Sequence, residues 1–327
     1  MSEIHTRIID NLPPGIDTSL QKLAKDVAAS PKHVLNSSLI LEKLGIVRIR
    51  KPLLGILGDY RIKRIKDVSV HDEDRLKCKV TSVINQKGGV GKTITAINVA
   101  GCLSKIGRRT LLVDLDPQGN ATSSLSAGKP SRTIYEALTG NAPAENAIIK
   151  TAFENLDLMP SDINLVGAEI ELVNMSEREM KLKAIIDEVR GSYEHVIIDC
   201  PPSLSLLSIN ALTASDTALI PVQCDYLALD GLKQLLDTIN LVKERLNGGL
   251  GVEGILLTMF EPQNPLSVKI ADEVKAQFKD NVLGTVVHRD MMLSESANQK
   301  KPVAYYSENS RSSREYFEVA KELMEHG

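Results

Sequence analysis

The spacing of hydrophobic residues changes character near residue 79. Before it, Leu20, Leu23, Ala24 and Val27 recur at three- and four-residue intervals and predict a helix over Thr18 to Ala29. An earlier helix, Thr6 to Leu12, stops at the breakers Pro13, Pro14 and Gly15. Ser30 is placed to cap a third helix with Pro31 in its first turn, an apolar stripe of Val34, Leu35, Leu39, Ile40 and Leu44, and a stop at Gly45. Val47 to Lys51 and Tyr60 to Arg64 then alternate, with Val47, Ile49, Tyr60 and Ile62 facing in and Arg48, Arg50, Arg61 and Lys63 facing out, which predicts a hairpin with a basic face. Beyond residue 79 the pattern becomes short apolar runs separated by helical stretches. The runs are Lys79 to Asn85, Thr110 to Asp114, Val196 to Asp199, Ala218 to Val222, Gly254 to Met259 and Gly284 to Val287. That alternation predicts an α/β fold, a mostly parallel sheet flanked by helices on both faces. The stretch 67–78, with Asp72, Glu73 and Asp74 and little periodicity, reads as a linker between domains at 1–66 and 79–327.

Charge sharpens this division. Residues 1 to 79 hold 15 Lys and Arg against 10 Asp and Glu, a balance of +5, whereas the remainder holds 24 against 32, a balance of -8. A basic domain can neutralise nucleic-acid phosphates; an acidic body repels them unless its cations cluster. The 43% hydrophobic and 25% charged content fits a globular chain. No apolar run approaches the roughly 20 residues that cross a bilayer, and the N-terminus lacks the apolar core of a signal peptide, so a cytoplasmic protein without a membrane partner is expected. Cys78, Cys102, Cys200 and Cys224 form no CxxC pair, which argues against a zinc site or a disulfide framework.

The chemistry is concentrated after the first apolar run. Gln86-Lys87-Gly88-Gly89-Val90-Gly91-Lys92-Thr93 follows a strand and opens a helix carrying Ala96, Ile97, Ala100 and Leu103 on one face. Glycines let backbone N–H groups curl around phosphate oxygens, and the helix N-terminus adds about half a positive charge. Lys92 suits the β- and γ-phosphates, and the Thr93 hydroxyl suits Mg²⁺. The strict phosphate-loop pattern has glycine where this chain has Gln86.

Lys87-Gly-Gly-Val-Gly-Lys-Thr resembles the deviant phosphate loop of the ParA/MinD ATPases, with its additional lysine at the start. Val113 to Thr122 (VDLDPQGNAT) resembles that family's switch I, His195 to Ser203 (HVIIDCPPS) its Walker B and switch II, and Tyr226 to Leu232 a further ParA segment. Leu293-Ser294-Glu295 and Lys301-Pro302 continue the match. The resemblance implies a P-loop ATPase that uses ATP and Mg²⁺ and pairs as a homodimer on ATP. Its phosphates are held by Lys87, Gly88, Gly89, Val90, Gly91, Lys92, Thr93 and Ile94. Lys87 is implied to cross into the partner's site, Asp116 to activate water, and Asp199, with Thr93 and Asp116, to serve the metal; Asp116, Lys87 and Lys92 are then the catalytic set. Asp114 is either a second switch carboxylate or a strand-end residue. The base-binding loop, commonly Ile-Pro-Arg-Asn, is here Val287-His288-Arg289-Asp290, which makes His288 and Asp290 candidate nucleotide contacts.

The first 65 residues resemble a winged helix-turn-helix domain. That implies major-groove readers Lys32, His33, Asn36 and Ser37 and phosphate contacts from Arg48, Arg50, Lys51, Arg61 and Lys63; a wing used only for protein contacts stays open. ParA relatives imply plasmid or chromosome partition on nucleoid DNA with a ParB-like partner. An ATP-switched repressor and a MinD-like positioning ATPase are the alternatives. One departure is that Gln263 and Met292 stand where many ParAs place DNA-binding arginines; Lys269, Lys275, Arg289, Lys300, Lys301, Arg311 and Arg314 are substitutes. The acidic C-terminus reads as a docked closing helix rather than a membrane anchor.

Overall fold

A computed structural model describes residues 3–13, 16–29, 31, 34–35, 38, 47–50, 60–64, 78–126, 128, 130–225 and 228–325. The chain forms two compact units, Met1–Lys77 and Cys78–Gly327.

In the first unit a helix spans Glu3–Asp10, β1 spans Asp17–Ser19, a second helix spans Leu20–Asp26, and β2 (Val47–Arg50) pairs antiparallel with β3 (Arg61–Arg64). The first helix begins before the expected Thr6, and the expected start of the second helix at Thr18 is a strand instead. Thr18 pairs with Ile62 of β3, giving a three-stranded sheet of order β1-β3-β2. The sheet captures residues that local pattern assigns to the helix, while Ser19 caps that helix by accepting from the Lys22 backbone N–H. Pro31, Val34, Leu35 and Ser38 are helical. Ile8, Leu12, Leu20, Leu23, Val34 and Ile62 form this unit's core. In the hairpin Arg48 lies opposite Lys63 and Arg50 opposite Arg61 in the backbone register, and the Arg48 and Arg61 side chains are exposed. The expected readers Lys32, His33, Asn36 and Ser37, together with Lys51 and the linker 67–77, lie outside the described residues.

The second unit is an eight-stranded sheet. Its strands are β4 (Lys79–Val83), β5 (Thr110–Asp114), β6 (Ile149–Lys150), β7 (Leu156–Met159), β8 (His195–Asp199), β9 (Thr217–Gln223), β10 (Gly251–Phe260) and β11 (Val282–His288). Their order is β11-β10-β9-β4-β8-β5-β7-β6, parallel throughout except for the edge pair β6 and β7. Both faces of the central strands are buried, as crossover helices require. Val196 and Ile198 join the core under the helices Lys181–Val189, Leu206–Ala214 and Ala228–Arg245, whereas Ile197 joins the core under Lys92–Lys105 and Arg311–Glu325. The last helix buries Tyr316, Val319, Ala320 and Leu323, and the Tyr316 hydroxyl lies 3.2 Å from that of Thr95 on the helix after β4. Among the described residues no helix is long and apolar enough to cross a membrane. In open parallel sheets ligands bind beyond the carboxyl ends of the strands, and β4, β8 and β5 carry the predicted motifs there.

Candidate nucleotide site

β4 runs through Ile84 and Asn85 into the loop Gln86–Gly91 and the helix Lys92–Lys105. Gly89 and Gly91 have φ of +77° and +88°, the left-handed region that side chains resist, and Gly91 caps the helix in that conformation. The loop is tied down at both ends. The Asn85 side chain donates to the Pro221 carbonyl at 2.7 Å and accepts from the Lys87 N–H at 3.0 Å; the Val90 carbonyl accepts from the Thr258 hydroxyl at 2.9 Å. Lys92 Nζ donates to the Lys87 carbonyl across the loop at 3.0 Å. Lys92 is 7% exposed, and burial lowers its pKa against the opposing pull of Asp199 and Asp116. A buried ammonium wrapped by a loop of N–H groups is a cradle for polyphosphate.

Asp114 and Asp199 end adjacent parallel strands in register, and both are fully buried. They differ in their partners. Asp114 accepts from the Thr122 N–H and hydroxyl at 2.7 Å each and from the Asp116 N–H at 3.2 Å. It is thus the strand-end residue that ties the switch loop to the helix Asn120–Leu125. Burial pushes its carboxyl up to about 6. The Asp199 carboxylate has no backbone partner among the described residues and only the Thr93 side chain beside it, and burial with the neighbouring Asp114 charge raises its pKa well above the carboxylate range. An orphaned buried carboxylate beside the Thr93 side chain fits a hydrated Mg²⁺, which accepts oxygen ligands and usually keeps several waters. Asp116 is 7% exposed and accepts from the Gln118 N–H, so its carboxylate is held at the edge of the site. Gly119, φ +60°, closes that turn; a Cβ there would stand 3.2 Å from the Ser161 carbonyl.

A cavity of about 120 Å³ beside the loop is lined by Gly91, Ile94, Thr258, Met259, His288 and Asp290, among others, which brings the expected base-loop residues to the phosphate loop. His288 is engaged: its Nδ1 lies 2.7 Å from Glu315 and its backbone N–H donates to the same carboxylate. Asp290 caps the helix Met291–Asn298 by accepting from the Met292 N–H. Of the substitute cations, Arg289 pairs with Glu261, Arg311 with Glu315 and Lys269 with Glu273.

The contact that local pattern did not anticipate is at Lys87. Its ammonium is bound by both carboxylate oxygens of Asp225, which opens the turn between β9 and the helix Ala228–Arg245. Asp225 sits one residue before the segment singled out at Tyr226 to Leu232, and only β9 packing beside β4 brings it to Lys87. Tyr226 and Leu227 lie outside the described residues.

A parallel sheet with a glycine loop and a buried lysine at one strand end, and an orphaned carboxylate at the next, defines a P-loop nucleotide-binding protein. A family model described as an AAA domain matches residues 78–252. The chain is 49% identical over 251 residues to the sporulation initiation inhibitor protein Soj of Bacillus subtilis, covering 76% of this chain and 99% of that one. It is 46% identical over 248 residues to the chromosome partitioning protein ParA of Myxococcus xanthus, covering 75% and 88%. In fold it is similar to the crystal structure of cobyrinic acid a,c-diamide synthase from Mycobacterium smegmatis with bound ADP and magnesium, with TM-score 0.67, 35% identity, and 76% and 95% of the two chains covered. The chain belongs to the ParA/Soj family of partition ATPases.

Proposed function

We propose that this protein is a DNA-partition ATPase whose ATP-bound form is a homodimer. The observation that carries the reading is the pair of lysines on one loop. Lys92 is buried and turned inward, whereas Lys87, about one-third exposed, reaches outward to Asp225. An inward lysine serves the protomer's own phosphates; the outer one, once it leaves Asp225, serves a second copy's. Thr93 and Asp199, with Asp116, would hold Mg²⁺, which would supply neutralisation of the charge developing on the phosphates. Asp116 orients and deprotonates the attacking water, the loop N–H groups hold the phosphate oxygens in line, and Lys92 with the partner's second lysine stabilises the added charge. No arginine of the protomer is assigned to the phosphates in this reading, Arg289 being paired with Glu261, and P-loop sites without an arginine finger turn over at about 10⁻⁴ to 10⁻² per second. Hydrolysis is therefore a timer, accelerated by a ParB-like partner.

The first unit's hairpin, with Arg48 and Arg61 exposed, supplies DNA phosphate contacts in this reading, as a winged helix-turn-helix domain on nucleoid or plasmid DNA would. The pairing of Arg289, Arg311 and Lys269 with carboxylates leaves the acidic second unit less able to do so. Each phosphate neutralised contributes about -0.9 to the slope of log K against log salt, so removing residues 1–66 flattens that slope by several units. The test of the ATPase reading is Asp116→Ala: with saturating Mg-ATP it forms a stable dimer by sedimentation and hydrolyses little. A monomer under those conditions refutes it.

A further inference from the structure

The helix Leu165–Val173 follows β7 and buries Leu165, Ala168 and Leu172 in the core. Its other side carries an uncovered row. Ile163, Val166, Ile170 and Val173 are 65%, 48%, 70% and 54% exposed. Within the helix the spacing of four and three residues puts Val166, Ile170 and Val173 on one stripe, the interval by which one helix seats its side chains between those of another, and Ile163 stands in the turn just before it, its carbonyl accepting from the Val166 N–H. Isolated exposed aliphatics are ordinary, but four β-branched side chains in line form an unpartnered apolar face.

The surroundings of this stripe limit what covers it. From Thr151 to Glu177 the chain has no Lys or Arg, while Glu169 and Glu171 lie on the same helix. The cations nearby are Arg178, which donates to the Val173 carbonyl and pairs with Glu179, and Lys300, which lines a cavity with Ile163; a nucleic acid or an anionic membrane needs a cluster of unpaired cations, so neither fits. The stripe also lies on the nucleotide edge of the sheet. β7 adjoins β5, and Ile163 lines one cavity with Pro117, Gln118 and Gly119 of the switch loop. The stripe therefore begins beside the switch loop, the part of the site that a second copy would meet in the dimer reading.

We propose that Ile163, Val166, Ile170 and Val173 form the apolar part of the ATP-dependent dimer interface, covered by a second copy of this chain. The inference rests on the dimer reading above and adds its hydrophobic contact. A phosphate bridge by itself is polar and screened by salt; a stable interface also buries a dry, close-packed centre. The stripe supplies that centre beside the switch loop, so closure over the nucleotide and burial of the stripe occur together. The residues' high exposure in the protomer lets a substitution act on association while leaving the fold in place.

Two variants in the Asp116→Ala background test this. Ile170→Glu should weaken dimer formation with Mg-ATP at least tenfold while nucleotide binding to the protomer is unchanged. In a second protein carrying Ile170→Cys, the introduced thiol reports directly, because all four native cysteines are buried. Its labelling by a maleimide should slow at least tenfold on adding Mg-ATP and stay fast with ADP. Unchanged labelling in a preparation that does dimerise overturns the proposal and leaves the dimer reading standing. Protection that appears only on adding a ParB-type protein also overturns it, assigning the stripe to that partner. Failure of the Asp116→Ala parent to dimerise removes the underlying reading instead.

Discussion

Lys87 is already paired before any second copy arrives, and this has a measurable cost. Its ammonium is held by both oxygens of Asp225, with side-chain exposures of 35% and 34%. To reach a partner's phosphates the side chain must leave that carboxylate. The backbone stays, because the Lys87 N–H is fixed to Asn85 at 3.0 Å and Asn85 to Pro221 at 2.7 Å. A pair so open to solvent is worth about 0 to 1 kcal/mol. A symmetric dimer breaks two, so the opposing free energy is at most about 2 kcal/mol, or about 30-fold in the dimer dissociation constant. Asp225→Asn keeps the shape and removes the charge. Measured exposed pairs are mostly worth about 0.2 to 1 kcal/mol, so by sedimentation equilibrium of the Asp116→Ala protein in Mg-ATP it should tighten the dimer by about 2- to 30-fold, most strongly at low salt. Asp225→Glu, which keeps a carboxylate within reach, should return the constant towards the parent. Equal or weaker dimerisation of Asp225→Asn, with nucleotide binding intact, refutes the reasoning and makes Asp225 a residue that presents the lysine rather than restrains it.

Other consequences follow from the same geometry. Lys92→Ala removes the buried ammonium from the loop and should abolish ATP binding by calorimetry while the circular dichroism spectrum is kept. Gly101 faces Pro302 so closely that a Cβ would stand 2.4 Å from the proline ring; Gly101→Ala should lower stability in urea by about 1 to 3 kcal/mol. His195 is buried at the start of β8, and burial with the Lys79 charge lowers its pKa to about 4. The unfolded chain then binds the extra proton between about pH 6.5 and 4, so stability falls as pH drops through that window, and His195→Gln should flatten the loss. Burial pushes Cys78 and Cys102 up to about 12 and Cys224 to about 11, so a thiol reagent at pH 8 should modify the protein only as fast as it unfolds.

Local pattern alone was enough for the elements that bury both faces. β5 has the bounds expected, because five consecutive apolar or strand-ending residues between turns have no helical alternative of that length. The phosphate loop was equally legible, since a short stretch of glycines and lysine carries its whole chemistry within eight residues. β7 was hidden. It is four residues long with Asp157 inside it, and only the folded unit explains that charge, which Tyr193 and Lys150 bind at 2.8 and 2.7 Å. The two carboxylates at the ends of β5 and β8 look alike in the sequence. Folding separates them by supplying the Thr122 and Asp116 N–H groups and the Thr122 hydroxyl to Asp114 and only the Thr93 side chain to Asp199. Asp225 meets Lys87 across 138 residues of chain because β9 lies next to β4. Periodicity and motif are properties of neighbours along the chain, so the sequence determined the strands, the loop and the kind of ligand. Which carboxylate is tied down, which is left for a metal, and what restrains the outward lysine depend on strand order, and tertiary packing alone decides that.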